Sequence, residues 1–510
     1  MQGETELKLS LPVDQAEKLR KHPLIHSLKS GRARTKRLVG IYYDTPDLFL
    51  KQRDMTLRVR EVDRRHIQTL KRLGPSVGGL HVRDEWENEV NGKAPDISHI
   101  KRQEIGPILD AIDNGPALQP IFRTDVKRTA WTLRDGDLEI ELALDIGEIR
   151  SEAGRRESIC EAELELKSGD PDRLFDIALA FNERVDCTLG HLTKADRGYA
   201  LCGAEPRKAT KASVVVLDPE MTAWQAFVAI CESCLRHLEA NDPIVRTGED
   251  PEGVHQARVA IRRLRAAFRV FRPILPEAEQ RFFAQELRWL QRELGDARDW
   301  DVFIIETIEP LQERFPDDLA LREMSRRSLL ARRTAYAGAR NALDSGRYGH
   351  LRLALQRWVM RPTHDVDEGD MARNVGWFAR RSIRRAHKRV VRFGPDLAAV
   401  DEPGLHDLRI RGKQARYCAE FFSSLFPGGE AKRHSKLLAG LQDCLGALND
   451  AVVADQLLAR LNKRGSVLDA RAAASVEGWF AALIGRERKE LRRVWPKIRK
   501  LKAYWKADPS

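Results

Sequence analysis

Close to the start of the chain, Glu4, Glu6 and Lys8 alternate with Thr5, Leu7 and Leu9. On a strand this sets two carboxylates and an ammonium on one face and mostly apolar groups on the other. Similar segments follow. Arg58 and Arg60 share a face of MTLRVR, Lys71 stands in HIQTLKRL, and Arg83, Glu85, Glu87 and Glu89 oppose Trp86 and Val90. Asp137, Glu139, Glu141 and Asp145 oppose Leu138, Ile140, Leu142 and Leu144. Glu161, Glu163 and Glu165 alternate in CEAELELKSG, and TKADRGYA, read as a further strand, offers Lys194 and Arg197. Any one of these is an ordinary half-solvated strand with cross-strand ion pairs. Jointly, the faces sort by sign, some wholly basic and others wholly acidic. That division suits a closed barrel with a charged lumen, where carboxylates hold a divalent cation and Arg or Lys neutralise a phosphate chain.

The elements that must position these groups fall into two regions. Residues 1–202 read as strands separated by turn signals at Gly74-Pro75, Gly78-Gly79, Asn91-Gly92 and Asp135-Gly136, an antiparallel meander or barrel. Residues 203–217, opening on GAEPRKATKAS, read as a linker. From 218 to 505 the hydrophobic period shifts from two to about 3.6, the mark of helices. Within this half a repeat recurs without gaps at an offset of 151 residues. VHQARVAIRRLR pairs with LHDLRIRGKQAR, and LQRELGDARD with LQDCLGALND, giving copies at about 221–358 and 371–505. The fold class is α+β in two domains: an eight-stranded antiparallel barrel, then an all-α domain of two repeated helical bundles.

Composition narrows the functions. A chain of 510 residues exceeds what one core holds. No apolar run approaches the ~20 residues of a membrane span, and the N-terminus reads as a charged strand, not a leader. Seven cysteines in no framework spacing, with Cys231 and Cys234 inside a helical pattern, read as core thiols in a reduced, cytoplasmic protein. Residues 211–510 hold 53 Lys and Arg against 40 Asp and Glu, so the second half carries all of the net charge of +12 and calls for a polyanionic partner.

The E-x-E-x-K of Glu4, Glu6 and Lys8 resembles the signature of the CYTH domain, the triphosphate tunnel metalloenzymes. YYDTPD, TLRVR, QTLKRLG, GGLHVRDEW, FRTDVKR, ALDIGEI, CEAELELKSG and KADRGYAL follow in the family's order over about 200 residues. The resemblance extends to bacterial inorganic triphosphatases in which a helical domain follows. It implies a tunnel in which Glu4, Glu6, Asp145, Glu161 and Glu163 hold Mg²⁺ or Mn²⁺. Lys8, Arg58, Arg60, Lys71, Arg83, Arg128 and Lys194 would bind the triphosphate, with Arg123 and Glu165 as further candidates. Catalysis would rest on Glu4, Glu6 and Lys8, by direct attack of water, since no P-loop or covalent nucleophile is recognisable.

In the helical half, His255, Arg258, Arg262, Arg265 and Arg269 form a stripe about 80° wide, matched by His406, Arg409, Lys413 and Arg416. No Asp or Glu lies between Val254 and Pro276 or between Met371 and Pro395. Unrelieved like charge costs stability, so an anionic ligand explains the stripe better than a solvated face does. The paired motifs resemble the CHAD domain, which implies binding of inorganic polyphosphate. The second copy departs from the first at Gly412, Gln414 and Ala447. Two readings of the histidines stand: phosphate contacts, or structural hydrogen bonds from His255 to Asp299 and from His406 to Asp450. The function expected is hydrolysis of inorganic triphosphate with polyphosphate binding by the helices. The alternative is a polyphosphate-targeting protein whose barrel is weak or acts on thiamine triphosphate or a nucleotide. Nucleic acid binding lacks a groove-reading motif and interleaved aromatics.

Overall fold

In a computed structural model, the chain divides into two compact units, Met1–Arg207 with Asp344–Arg361, and Lys208–Leu343 with Pro362–Ser510. The structure describes residues 4–506 except 63–64, 78–79, 101–105, 114, 116, 191, 204–207, 361–372, 395–396, 398–399 and 462–466.

The first unit is built on nine strands: β1 (Glu4–Ser10), β2 (Lys29–Asp44), β3 (Met55–Val62), β4 (Arg65–Val77), β5 (Leu80–Val90), β6 (Gln119–Asp135), β7 (Leu138–Ser151), β8 (Arg156–Ser168) and β9 (Thr188–Leu189). They form one antiparallel sheet in the order β5-β4-β3-β2-β6-β7-β8-β1-β9. β1 is shared three ways. Its residues 6–10 pair with β8, 4–7 with β5, and 9–10 with β9. Asp135-Gly136 turns the β6–β7 hairpin as expected, with Gly136 at φ 64°, a conformation glycine adopts without steric cost.

The helices of this unit are α1 (Ala16–Arg20), α2 (Pro23–Leu28), α3 (Gly106–Asp113), α4 (Asp172–Asn182) and α5 (Lys194–Leu201). Two corrections to the sequence reading follow. Among the described residues the sheet has nine strands where eight were expected, because Thr188–Leu189 adds a short strand to β1. TKADRGYA is the helix α5, because the Thr193 side chain caps the Asp196 N–H and Asp196 reaches back to the Thr193 N–H, the reciprocal cap that starts a helix. The apolar faces of β1, β7 and β8 bury Leu7, Leu9, Leu142 and Leu164 under α1, α2 and α4, at about 1.5–3 kcal/mol per side chain.

The second unit holds α6 (Ala223–Thr247), α7 (Pro251–Val270), α8 (Glu277–Glu293), α9 (Gly295–Phe303), α10 (Glu309–Arg314) and α11 (Leu319–Asp344). Then follow α12 (Gly346–Met360), discussed below, and α13 (Val375–Val391), α14 (Glu402–Phe421), α15 (Gly429–Leu461) and α16 (Val467–Arg499). The 151-residue offset maps α7 onto α14 end to end. The helix broken at Leu294 into α8 and α9 in the first copy runs unbroken as α15 in the second. The copies meet reciprocally at the starts of α6 and α13. Ala223 N–H donates to Arg373 O at 2.8 Å, and Val375 N–H donates to Met221 O at 2.9 Å. Phe227 and Phe271, with their equivalents Phe378 and Phe422, share one core, Phe271 stacking on Phe378 at 4.8 Å.

Helix α12 departs from the expected boundaries. The sequence places it at the end of the first helical copy, yet it belongs to the sheet unit. Leu353 is buried with Phe175 and Phe181, Arg357 pairs with Asp176 at 2.5 Å, and Gly349 lies where a Cβ would sit 1.8 Å from Cys187 O. Helical periodicity identifies an element but not the core it joins.

Candidate functional site

The strand register places the charged groups on a common face, because directly paired residues point to the same side of a sheet. Lys8 pairs with Glu163, Asp145 with both Glu161 and Arg128, Arg58 with Tyr42 and Thr69, and Lys71 with Thr56 and Glu85. This face encloses a cavity of about 190 Å³ whose lining includes Glu6, Lys8, Arg58, Arg60, Lys71, Arg128, Glu163, Glu165 and Lys194. Asp145 and Glu161 lie buried beside it.

Asp145, Glu161 and Glu163 each bring a carboxylate oxygen within 4.8 Å of the others. Three such charges repel strongly in a buried site, and three cations offset them. Lys194 Nζ is 2.7 Å from Asp145 and 3.0 Å from Glu163, and it donates to Glu161. Arg128 donates to Asp145 at 2.7 Å and to Glu163. Lys8 lies 3.2 Å from Glu163 and 3.5 Å from Glu161. Burial would raise the Glu163 carboxyl, but Lys194, Arg128 and Lys8 hold it well below the usual range. Asp145 is kept low against burial by Lys194 and Arg128. Burial would lower the Lys8 and Lys194 ammoniums, yet their glutamate neighbours lift both above the ordinary lysine value.

The other side of the cavity is basic. Neither Arg58 nor Arg60 makes a salt bridge to a carboxylate among the described residues; Arg58 reaches Thr69 Oγ1 at 3.4 Å, and its buried Nε has no hydrogen-bond partner. Burial and the adjacent Arg58 push the Arg60 guanidinium down to about 9. The buried Arg58 and the half-buried Arg60, side by side, have no carboxylate in salt-bridge contact among the described residues, a counter-charge that an anion would supply. Lys71 pairs with Glu85. Arg123, paired in register with Ile41, points to the opposite face, 3.7 Å from Asp125, and so stands apart from the cavity. The side chains of Glu4 and Arg83 lie outside the described residues, as does Gly78-Gly79; the backbones of Glu4 and Arg83 pair in register. Sequence reasoning did not find Tyr42, Thr56, Thr69 or Thr193, which also line the cavity, because neutral hydroxyls carry no charge pattern.

The carboxylate trio fits a hard divalent cation. All its donors are oxygens, and Glu161 Oε2 is buried without a hydrogen bond, with the Arg197 guanidinium 3.7 Å away.

In the helical unit, α7 and α14 bring the two basic stripes together. Arg262 Nε donates to Tyr417 OH at 3.3 Å, and the Arg416 guanidinium lies 5.2 Å from the same ring. Arg258, Arg262, Arg409 and Lys413 are mutual neighbours around Asp299 and Asp450, and the lane extends through Arg265 and Arg269 to Arg288 and Arg389. Burial and the neighbouring Arg409 and Arg262 push Lys413 down to about 7. The buried Nε atoms of Arg258, Arg409 and Arg416 have no hydrogen-bond partner. No hydrogen bond joins His255 to Asp299 or His406 to Asp450 among the described residues; Asp299 faces Arg258 and Asp450 faces Arg409 instead. Burial and Arg298 push the His255 imidazole down to about 4, so it is neutral at pH 7, and His406 is exposed. Arg288 and Arg298 were not among the expected residues, since only packing brings them to the stripe; Arg389 belongs to the acid-free stretch between Met371 and Pro395.

A sheet interior that holds a carboxylate trio opposite paired arginines, followed by a duplicated basic helical unit, defines the class. Residues 2–199 match the CYTH domain and residues 229–459 the CHAD domain. The chain is a CYTH domain followed by a CHAD domain. An inorganic triphosphatase of Haemophilus influenzae is 38% identical over 168 residues, which make up 32% of this chain and 46% of that protein, so the match spans about half the length of that relative. An uncharacterized protein of Mycobacterium tuberculosis is 26% identical over 428 residues, 80% of each chain. The crystal structure of the CHAD domain from the plant Ricinus communis is 29% identical with a TM-score of 0.51, covering 58% of this chain and 99% of that one.

Proposed function

We propose that the chain hydrolyses inorganic triphosphate to diphosphate and phosphate inside the sheet, and that its helical unit binds polyphosphate. The observation that carries the reading is a carboxylate trio, Glu163 lining the cavity with Asp145 and Glu161 buried beside it, opposite an arginine pair that makes no salt bridge to a carboxylate among the described residues. The double pairing of β1 with β5 and β8 supports a closed tunnel of eight strands with β9 as an outer addition. Glu4, Glu6, Asp145, Glu161 and Glu163 would hold Mg²⁺ or Mn²⁺, which when bound offsets phosphoryl charge and orients water. Arg58 and Arg60 bind the phosphate chain, and Lys8, Arg128 and Lys194 move from carboxylate to phosphate oxygens as substrate enters. In that buried site these cations stabilise charge on the leaving diphosphate more strongly than they would in water. The Haemophilus relative supports this substrate over thiamine triphosphate or a nucleotide.

The basic lane supports a second reading, in which the helical unit tethers the molecule to polyphosphate and hydrolysis is subordinate. One experiment separates the two. Phosphate release is measured from tripolyphosphate, long-chain polyphosphate, ATP and thiamine triphosphate, with Mg²⁺ or Mn²⁺, for wild type and Glu161→Gln/Glu163→Gln. Loss of outer-shell partners alone costs ~10–100-fold at metal sites, so the double variant should lose more than about 100-fold on tripolyphosphate. Equal rates would reject the site, and wild-type preference for another triphosphate would reject the substrate.

A further inference from the structure

We propose that Asp44, the last residue of β2, and Lys51, in the loop between β2 and β3, are positioning residues that hold Lys194 against the carboxylate trio by clasping α5. The inference rests on reading the cavity as a triphosphatase site, and it accounts for the motif YYDTPD.

Among the described residues, Lys194 is the one cation within salt-bridge distance of all three carboxylates. A lysine stem is flexible, so where its ammonium falls depends on where its backbone is fixed. That backbone is the first residue of α5, a helix of eight residues, too short to hold itself in water. Its placement comes from outside.

Three contacts supply it. The Tyr199 hydroxyl donates to Asp44 Oδ2 at 2.8 Å, 155 residues away in the chain. Asp44 is fully buried and also accepts from the N–H groups of Thr45 and Leu50 at 2.8 Å and of Lys51 at 3.0 Å. Four donors saturate a carboxylate, so Asp44 has a fixed orientation and transmits it to Tyr199. Lys51 Nζ donates to Asp196 Oδ1 at 3.0 Å and stands 5.5 Å from the Tyr199 ring. Asp196 is the residue whose other oxygen accepts from the N–H and hydroxyl of Thr193, the cap directly before Lys194. From the far side, Gly198 rests on Phe122, where a Cβ would come within 2.1 Å of the ring, and Tyr42 stacks on that same Phe122 at 4.4 Å.

The loop is shaped for the task. Thr45 Oγ1 donates to Asp47 at 2.6 Å and accepts from Phe49 N–H at 3.0 Å. Leu48 takes φ 58°, a left-handed conformation disfavoured outside glycine that persists where surrounding bonds impose it. The strain brings Leu50 and Lys51 back over Asp44. A loop needed only to connect two strands has no use for a saturated buried carboxylate aimed at a remote helix.

The test is a double-mutant cycle on tripolyphosphate hydrolysis by the full chain: Lys51→Ala, Tyr199→Phe and Lys194→Met, singly, and each of the first two combined with the third. Lys51→Ala and Tyr199→Phe should each lower kcat about tenfold or more, with KM within about twofold, since small misplacements cost rate more than binding. Neither should slow Lys194→Met further, because a residue acting through Lys194 has nothing left to position. Unchanged kcat in both single variants, or equal losses in the Lys194→Met background, would overturn the proposal. A second measurement needs no turnover: the ¹⁵Nζ resonance of Lys194, assigned by its loss in Lys194→Met, should shift in Lys51→Ala and in Tyr199→Phe. A shift with no tripolyphosphate hydrolysis by wild type would reject the assigned reaction and leave the clasp standing; an unmoved resonance would reject the clasp.

Discussion

Asp145, Glu161 and Glu163 would repel one another without Lys8, Arg128 and Lys194, and the same three cations are those a phosphate chain could recruit. The helical lane poses the complementary problem, since its cations crowd together with little acid. Lys413 shows the strain, its ammonium pushed down to about 7 by burial and by Arg409 and Arg262, while Asp450 draws it the other way and Arg258 adds to the repulsion. A bound polyanion favours the charged form, so it should raise this value and take up a proton. Polyphosphate affinity is therefore expected to rise as pH falls from 8 to 6, with proton uptake seen in calorimetry across buffers of different ionisation enthalpy. Lys413→Met should flatten that dependence; an unaltered profile would place the uptake elsewhere. At this scale the sequence was informative about the charged residues, because alternation on strands and i, i+3, i+7 spacing on helices fix their faces. It misplaced Arg123, whose face depends on register, and missed the cavity hydroxyls.

Among the elements, the strands with alternating charge and the hairpin at Gly136 were legible. β2 was not, because its first nine residues are all exposed and show no alternation. α5 was read as a strand because its cap spans only Thr193 to Asp196, too local a signal against a run of neighbouring strands. α15 has the length and hydropathy of a membrane span, yet Leu438, Leu441, Cys444 and Leu445 lie in the core of the helical unit. α12 has a consequence for dissection. A fragment of residues 1–207 leaves the surface that Leu353 covers open to water, including that around Phe175 and Phe181. Its calorimetric transition should lie below that of the sheet unit in the full chain, and adding α12 as a peptide should raise it. Coincident transitions would show that α12 is dispensable to this core.

For the molecule as a whole, composition indicated more than one core, and the offset of 151 disclosed the duplication. How the copies join was beyond the sequence, since it depends on Phe227, Phe271, Phe378 and Phe422 meeting in one cluster and on two backbone hydrogen bonds at helix starts. Phe271 touches the other three, so Phe271→Ala should cost about 3–5 kcal/mol, as large-to-small core changes do. Urea denaturation followed at the helical unit's transition would measure it, and a loss below about 1 kcal/mol would mean that the copies are held elsewhere.

The reciprocal bonds and stacked rings have the form of a two-fold homodimer interface whose sides now lie in one polypeptide. In a homodimer every substitution appears on both sides of the axis at once. Fusion lifts that constraint and keeps the partners at high effective concentration. Arg262 in one copy can then correspond to Lys413 in the other, and Arg298 to Asn449, without either change being doubled. A surface that symmetry would have made identical in both directions has acquired two distinguishable ends, and a linear polyanion lying on it can be held with a polarity.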